Sequence, residues 1–170
     1  MSEKVAAALS VRQATAADAS PMGAILNPII TAGGTTAIER HLSDAEIAEW
    51  FITGEHCLAC SVAEDDTGRM LGFQALVHQA ELPEHWADIA TFACSPPRPS
   101  GVGVALFEAT LQQAADAGIR CINATIRADN VNGLAYYTRL GFETYDVSPG
   151  VPLKDGTPVD RLHKRFLLQP

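Results

Sequence analysis

The stretch Arg98-Pro99-Ser100-Gly101-Val102-Gly103 lies between an apolar run, Ile89 to Cys94, and an amphipathic helical pattern that begins near Val104. A strand feeding a glycine loop feeding a helix makes an anion site. The unpaired N–H groups of the loop and first helical turn, with the helix dipole behind them, can hold a pyrophosphate without a basic side chain. Gly101 and Gly103 let the backbone approach such a ligand closely. The loop is neither Gly-x-x-x-x-Gly-Lys-Ser/Thr nor Gly-x-Gly-x-x-Gly, which excludes a P-loop and a dinucleotide fingerprint. A second candidate, Cys57-Leu-Ala-Cys60, has the spacing of a redox pair or half a zinc site. It reads as part of a strand, where residues three apart point to opposite faces, and no further Cys or His pair completes four ligands. Cys57, Cys60, Cys94 and Cys121 are therefore read as buried, reduced thiols, and no metal is expected.

The elements that must position these residues follow from periodicity. Leu9 to Gln13 alternates as a first strand, and Thr15 and Asp18 precede a helix through Met22, Ile25, Leu26 and Ile29, in which Pro28 predicts a kink or an end. Gly33-Gly34-Thr35-Thr36 is a loop. Ser43-x-x-Glu46 is a capping box for a second helix, with Gly54 placed to end it. Leu58 to Ala63 and Leu71 to Gln79 form a hairpin across Asp65 to Gly68, and Trp86 to Cys94 is a further strand. A helix from Val104 closed near Gly118, a strand from Arg120 to Ile126 and a helix capped by Asp129 or Asn130 and closed by Gly141 come next. Phe142 to Val147 and Val159 to Leu168 are two final strands. The expected fold is one mixed α/β domain over residues 1–170, a central sheet of six to seven strands with about four helices, residues 1–7 being flexible.

Composition bounds the partners. A chain of 170 residues can bury a sizeable core, about 70% of its unfolded surface. The net charge of −8 argues against nucleic acid, which needs a basic face, and no stretch reaches membrane-spanning length. The start of the chain lacks the pattern of a secretory signal, so a cytoplasmic protein is expected.

Two motifs now stand in order: Arg98-x-x-Gly101-x-Gly103 after a strand, and Asn130-x-x-Gly133-x-x-x-Tyr137-x-x-Leu140-Gly141-Phe142 on a later helix. Together they resemble the GNAT superfamily of acetyl-CoA-dependent N-acetyltransferases, from about Val11 to the C-terminus. Gly150 to Asp160, and Ile25-Leu-Asn27 followed by Thr35-Thr36, look like the phosphinothricin-type group. The resemblance implies acetyl-CoA in a V-shaped gap where the Ile89–Cys94 and Cys121–Ile126 strands splay. Main-chain groups of Phe92, Ala93 and Cys94 would pair with the pantetheine arm. The Arg98, Ser100, Gly101, Val102, Gly103 and Val104 segment would hold the pyrophosphate. Asn130 would bond the cofactor arm with Gly133 beside it, and Tyr137 would lie near the sulfur. Pro99 has no N–H, and Pro99 and Ser100 stand where family members often carry basic residues, which implies weaker binding.

Acetyl transfer to a small-molecule primary amine, such as an amino acid or analogue, needs a neutral nucleophile, an oxyanion donor and a proton for the departing thiolate. By the resemblance Tyr137 supplies the last. A phenol titrates near about 10 and a thiol near about 8.5, so it stabilises charge as it develops. A main-chain N–H near Phe92 to Cys94 is the oxyanion donor. Asp88 is the candidate base, although counting back from Ser95-Pro96 puts the family's carboxylate at Ile89 unless a bulge shifts the register. His78 is the alternative base and an acceptor contact. Asn27, Thr35 and Thr36 are either acceptor contacts or plain turn chemistry, and Tyr136 is expected to pack on the opposite side of its helix. The rival readings are a non-catalytic acyl-CoA-binding module, a protein or peptide amine acetyltransferase, and a redox or zinc protein built on Cys57 and Cys60. A homodimer is in keeping with the resemblance.

Overall fold

The structure is a computed structural model that describes residues 8–170, so the flexibility expected of residues 1–7 lies outside the described residues. Seven strands form one sheet: β1 (Ser10–Gln13), β2 (Cys57–Glu64), β3 (Met70–Val77), β4 (Trp86–Ala93), β5 (Cys121–Arg127), β6 (Glu143–Pro152) and β7 (Pro158–Leu167). Their spatial order is β1-β2-β3-β4-β5-β7-β6, antiparallel throughout except for β4 and β5. Four helices cover it: α1 (Ala19–Ala32), α2 (Asp44–Ile47), α3 (Val102–Asp116) and α4 (Val131–Leu140). The single parallel pair exists because α3 carries the chain back across the sheet between β4 and β5. The architecture is the mixed α/β one read from the sequence.

Alternation along the strands separates two cores. Met22, Leu26, Ile47 and Phe51, from α1, α2 and the turn after it, pack on Val62, Phe73, Ala75 and Phe92. Phe107, Ala114, Tyr137 and Phe142, from α3, α4 and the turn after α4, pack on Leu76, Ala87, Ile89 and Ile122. Thus Asp88, Ala90 and Phe92 of β4 face α1, and Ala87, Ile89 and Thr91 face α3 and α4. The β4 register against β3, Gly72↔Ala93 through Val77↔Asp88, is unbroken. The bulge that would have moved the carboxylate position from Ile89 is absent, and Ile89 is core, 6% exposed.

One local expectation differs, and a second holds with a different geometry. The first helix runs through Pro28 to Ala32, because the carbonyl left without an N–H partner belongs to Ala24, on the exposed side of α1. Gly54 does end the second helix, but with an extended rather than a left-handed cap. After the Ser43–Glu46 capping box, α2 widens into a π-helical turn, Ala48–Thr53, and Gly54 is extended at φ −66°. A Cβ there would collide with the Glu49 carbonyl. The Cys57 thiol donates to the Glu49 and Trp50 carbonyls of this turn, at 3.4 and 3.3 Å. All four cysteines are free thiols, but only Cys60 and Cys121 are buried; Cys57 and Cys94 are half-buried, against the expectation for all four.

Candidate active site

Gly101, the N-cap of α3, sits at φ 88° with open space where a side chain would be. The first α3 amide to find a helical carbonyl is that of Ala105, on Gly101 O at 2.9 Å. The N–H groups of Val102, Gly103 and Val104 therefore have no partner within the helix, the geometry that an anion cradle requires. Arg98, in contrast, bends back on its own strand end and donates to Cys94 O at 2.6 Å. Gly103 serves a neighbour: a Cβ there would lie 2.5 Å from the Tyr136 ring. Tyr136 does more than pack, since its hydroxyl donates to Gly103 O at 2.8 Å and ties α4 to the first turn of α3.

Parallel pairing of β4 with β5 lasts for three residues, Trp86↔Cys121 to Asp88↔Asn123, and then stops. Beyond that point β4 stays with β3 and β5 with β7, so a gap opens between them. Cys94 N–H donates to Leu71 O at 2.8 Å, which makes Cys94 a hydrogen-bonded position of the antiparallel β3–β4 pair. By alternation Phe92 is another, and the main-chain groups of Ala93 and Thr91 face the gap. This corrects the expectation that Phe92, Ala93 and Cys94 all present theirs: the β3 ladder occupies those of Phe92 and Cys94.

At the apex of the gap, Asp88 Oδ1 accepts from Asn123 Nδ2 at 2.7 Å. Burial pushes the carboxyl up to about 6, against the pull of that hydrogen bond. On the other face of β4, Tyr137 is 7% exposed and its hydroxyl lies 2.8 Å from Thr91 Oγ1. Gln74 Nε2 donates to that same Thr91 oxygen at 2.8 Å and to the Tyr136 hydroxyl at 3.1 Å. Desolvation lifts the Tyr137 phenol well above its ordinary value and Tyr136 to about 12.

A cavity of about 620 Å³ opens beside Asp88 on the α1 face, lined by Ala37, Ile38, Trp50, Phe51, Ala90 and the side chains of Glu49, His56 and His78. His78 thus shares a cavity with Asp88. Asn27 does not reach it as a free group, because both ends of its amide are engaged by Leu42, Nδ2 on the carbonyl at 3.0 Å and Oδ1 from the N–H at 2.9 Å. Thr36 Oγ1 accepts from Ile38 N–H at 3.1 Å, and the Thr35 and Thr36 carbonyls accept from Asn130 Nδ2 at 3.0 Å and Arg127 Nη1 at 3.2 Å. The loop is a strap tied to α4 and β5. Asn130 is likewise engaged at both ends, since its Oδ1 caps Gly133 N–H at 2.9 Å, and Gly133 is the residue that leaves room for that amide. A second, slightly smaller hollow beside Phe166 and Leu111, about 570 Å³, lies away from all of these groups.

A profile of the acetyltransferase (GNAT) family matches residues 29–142. The chain belongs to the GNAT acetyltransferase family. Among characterised GNAT proteins it is 28% identical, over 95% of both chains, to the L-methionine sulfoximine/L-methionine sulfone acetyltransferase of Pseudomonas aeruginosa. It superposes on a GCN5-related N-acetyltransferase from Kribbella flavida with a TM-score of 0.81, at 25% identity over 95% and 98% of the two chains. A phosphinothricin acetyltransferase from Sinorhizobium meliloti, solved with acetyl-CoA, shares the fold at a TM-score of 0.79 and 22% identity, over 94% and 88%. The protein is an N-acetyltransferase that uses acetyl-CoA. Reading the GNAT motifs missed Gln74, Thr91 and Asn123. Their signal was a polar residue inside an otherwise apolar strand run, which a buried position tolerates only when it is hydrogen-bonded.

Proposed function

We propose that this GNAT enzyme acetylates the primary amine of a small molecule, an amino-acid analogue being the nearest precedent among its relatives, with Asp88 as general base and Tyr137 as the group that meets the leaving thiolate. The observation that carries the reading is the parting of β4 from β5 immediately after Asp88, which leaves that carboxylate on one face of the gap and the Tyr137–Thr91 pair on the other. Acetyl-CoA, when bound, supplies a thioester carbon open to attack. The free α3 amides of Val102, Gly103 and Val104 suit its pyrophosphate, and the Ala93 and Thr91 main-chain groups suit its pantetheine arm. An N–H on that edge is also the donor a developing oxyanion requires. With both ends of Asn130 held by the protein, its contribution is to fix the strap and α4 rather than to bond the cofactor.

Asp88 at about 6 is charged at neutral pH and yet basic enough to take a proton from the attacking amine. Tyr137 works differently. With its phenol held far above a thiol's titration range, it retains its proton and stabilises the thiolate by donating a hydrogen bond, while Thr91 turns its own hydroxyl proton toward the tyrosine oxygen. His78, exposed at the cavity, serves as an acceptor contact. The test is release of CoA thiol from acetyl-CoA across a panel of primary amines. Turnover by the wild type, lost in Asp88→Asn, is the expected result, and binding of acetyl-CoA without turnover on any amine refutes the reading in favour of a non-catalytic acyl-CoA-binding module. We further read the enzyme as cytoplasmic, which four free thiols support. We read it also as a homodimer, supported by Val147 standing exposed on the edge strand β6.

A further inference from the structure

We propose that Asn123 and Tyr145 are positioning residues for Asp88: Tyr145 anchors the far end of the Asn123 amide, and that amide orients the carboxylate at the apex of the gap. The inference rests on the reading of Asp88 as the base. Asn123 is 3% exposed and stands directly opposite Asp88 in the last paired position of β4 and β5. Its Nδ2 donates to Asp88 Oδ1 at 2.7 Å and to Thr125 Oγ1 at 3.1 Å, while its Oδ1 accepts from the Tyr145 hydroxyl at 2.6 Å. An amide turned the other way would set its oxygen against the Asp88 oxygens and lose both donated bonds. The carboxylate, which only accepts, thus selects the orientation of the amide, and the phenol hydroxyl on Oδ1 anchors it there.

Tyr145 reaches Asn123 by a specific backbone device. The β6–β7 register runs Thr144↔Lys164 and then Asp146↔His163, so Tyr145 is the extra residue of a bulge. A bulge re-aims a side chain, and this one sends the phenol over β7 to β5. The ring is held edge-on by Trp86 at 5.6 Å, two residues before Asp88 on the same face of β4, and by the Arg165 guanidinium at 5.5 Å. Thr125 continues the network to His163 Nδ1 at 2.9 Å, and His163 Nε2 to Ser148 Oγ at 2.8 Å. The other titratable groups around Asp88 are Tyr137 on α4, His78 after β3, and Glu49, Glu55 and His56 across the cavity. None of the described ones is hydrogen-bonded to it, which leaves Asn123 as the side chain that sets its geometry.

The experiment uses the full enzyme and the variants Asn123→Ala, Tyr145→Phe and the double substitution, with two readouts. One is the pH profile of kcat/KM. The other is the Asp88 carboxyl titration followed by ¹³C NMR and assigned with Asp88→Asn. Removing a hydrogen bond to a charged carboxylate moves both midpoints up by about one pH unit in Asn123→Ala. Tyr145→Phe gives a smaller upward move, and the double variant moves no further than Asn123→Ala, because Tyr145 acts through the amide. An unmoved carboxyl midpoint in Tyr145→Phe, or additive shifts in the double variant, overturns the proposal. Tyr145→Phe keeps the ring against Trp86 and Arg165, so it decides the matter alone should Asn123→Ala fail to fold. A moved NMR midpoint with an unmoved rate profile supports the positioning role and refutes Asp88 as the base.

Discussion

Replacing Asp88 with Asn should abolish activity and stabilise the protein, and the stabilisation should depend on pH. Burial raises the Asp88 carboxyl from 3.8 to about 6. At 1.36 kcal/mol per pH unit, the ionised side chain weakens the folded state by about 3 kcal/mol. The sign follows from proton binding: the folded state holds this proton more tightly than the unfolded chain, so the cost is absent below about 3.8, grows through the interval and is fully present above about 6. An asparagine keeps the acceptor for Asn123 Nδ2 and carries no charge. Comparing Asp88→Asn with wild type by urea unfolding at pH 4.5 and 7.5 cancels any pH-independent effect of the substitution. Linkage places about 2 kcal/mol of the advantage between those two values, which in thermal melts is a gain of about 4–8 °C in the Tm difference. Activity at pH 7.5 should fall by about 10²-fold or more. A stability difference that is the same at both pH values refutes the buried, charged Asp88 on which the general-base reading depends.

Other outcomes follow from the same geometry. Tyr137→Phe should lower kcat by about 10²-fold with little change in acetyl-CoA affinity, read by steady-state kinetics and calorimetry, because it removes the hydroxyl and keeps the ring among Phe142 and Tyr136. Gly101→Ala should cost about 1 kcal/mol from forcing an L residue to φ 88°, whereas Gly103→Ala should both destabilise and weaken acetyl-CoA binding, since the Tyr136 ring must leave the first turn of α3. Asn130→Ala should cost about 1 kcal/mol in unfolding measurements through loss of the α4 cap, with a loosened strap at Thr35 seen as faster hydrogen exchange. Cys60 and Cys121, pushed up to about 12 and about 11 by burial, should stay inert to a disulfide reagent at pH 8 until the protein unfolds.

What the sequence made legible depended on whether a residue's task was local. The α3 cradle was readable because a left-handed glycine before an amphipathic run has one common use, and the α4 motif because spacing alone places Asn130, Tyr137 and Gly141 on one helix. The helix passing through Pro28 was not, because it turned on which carbonyl lost its partner and whether solvent reached it, a tertiary question. The same holds for the division of labour on β4. Sequence gives three consecutive residues with equivalent main-chain groups, and only the bond from Cys94 N–H to Leu71 O decides that Ala93 faces the gap while its neighbours belong to β3. Tyr145 is the extreme case. It sits 22 residues from Asn123, with α4 between them, and reads as one of several aromatic residues on a terminal strand until a one-residue bulge swings it over β7. A bulge leaves almost no mark in hydrophobic alternation over so short a run, yet it changes every side-chain direction beyond it. The α3 cradle and Tyr137 were therefore open to a motif, while Asp88, the gap-facing main chain of β4 and the groups that hold them were set by strand register, which emerges only when the sheet is assembled.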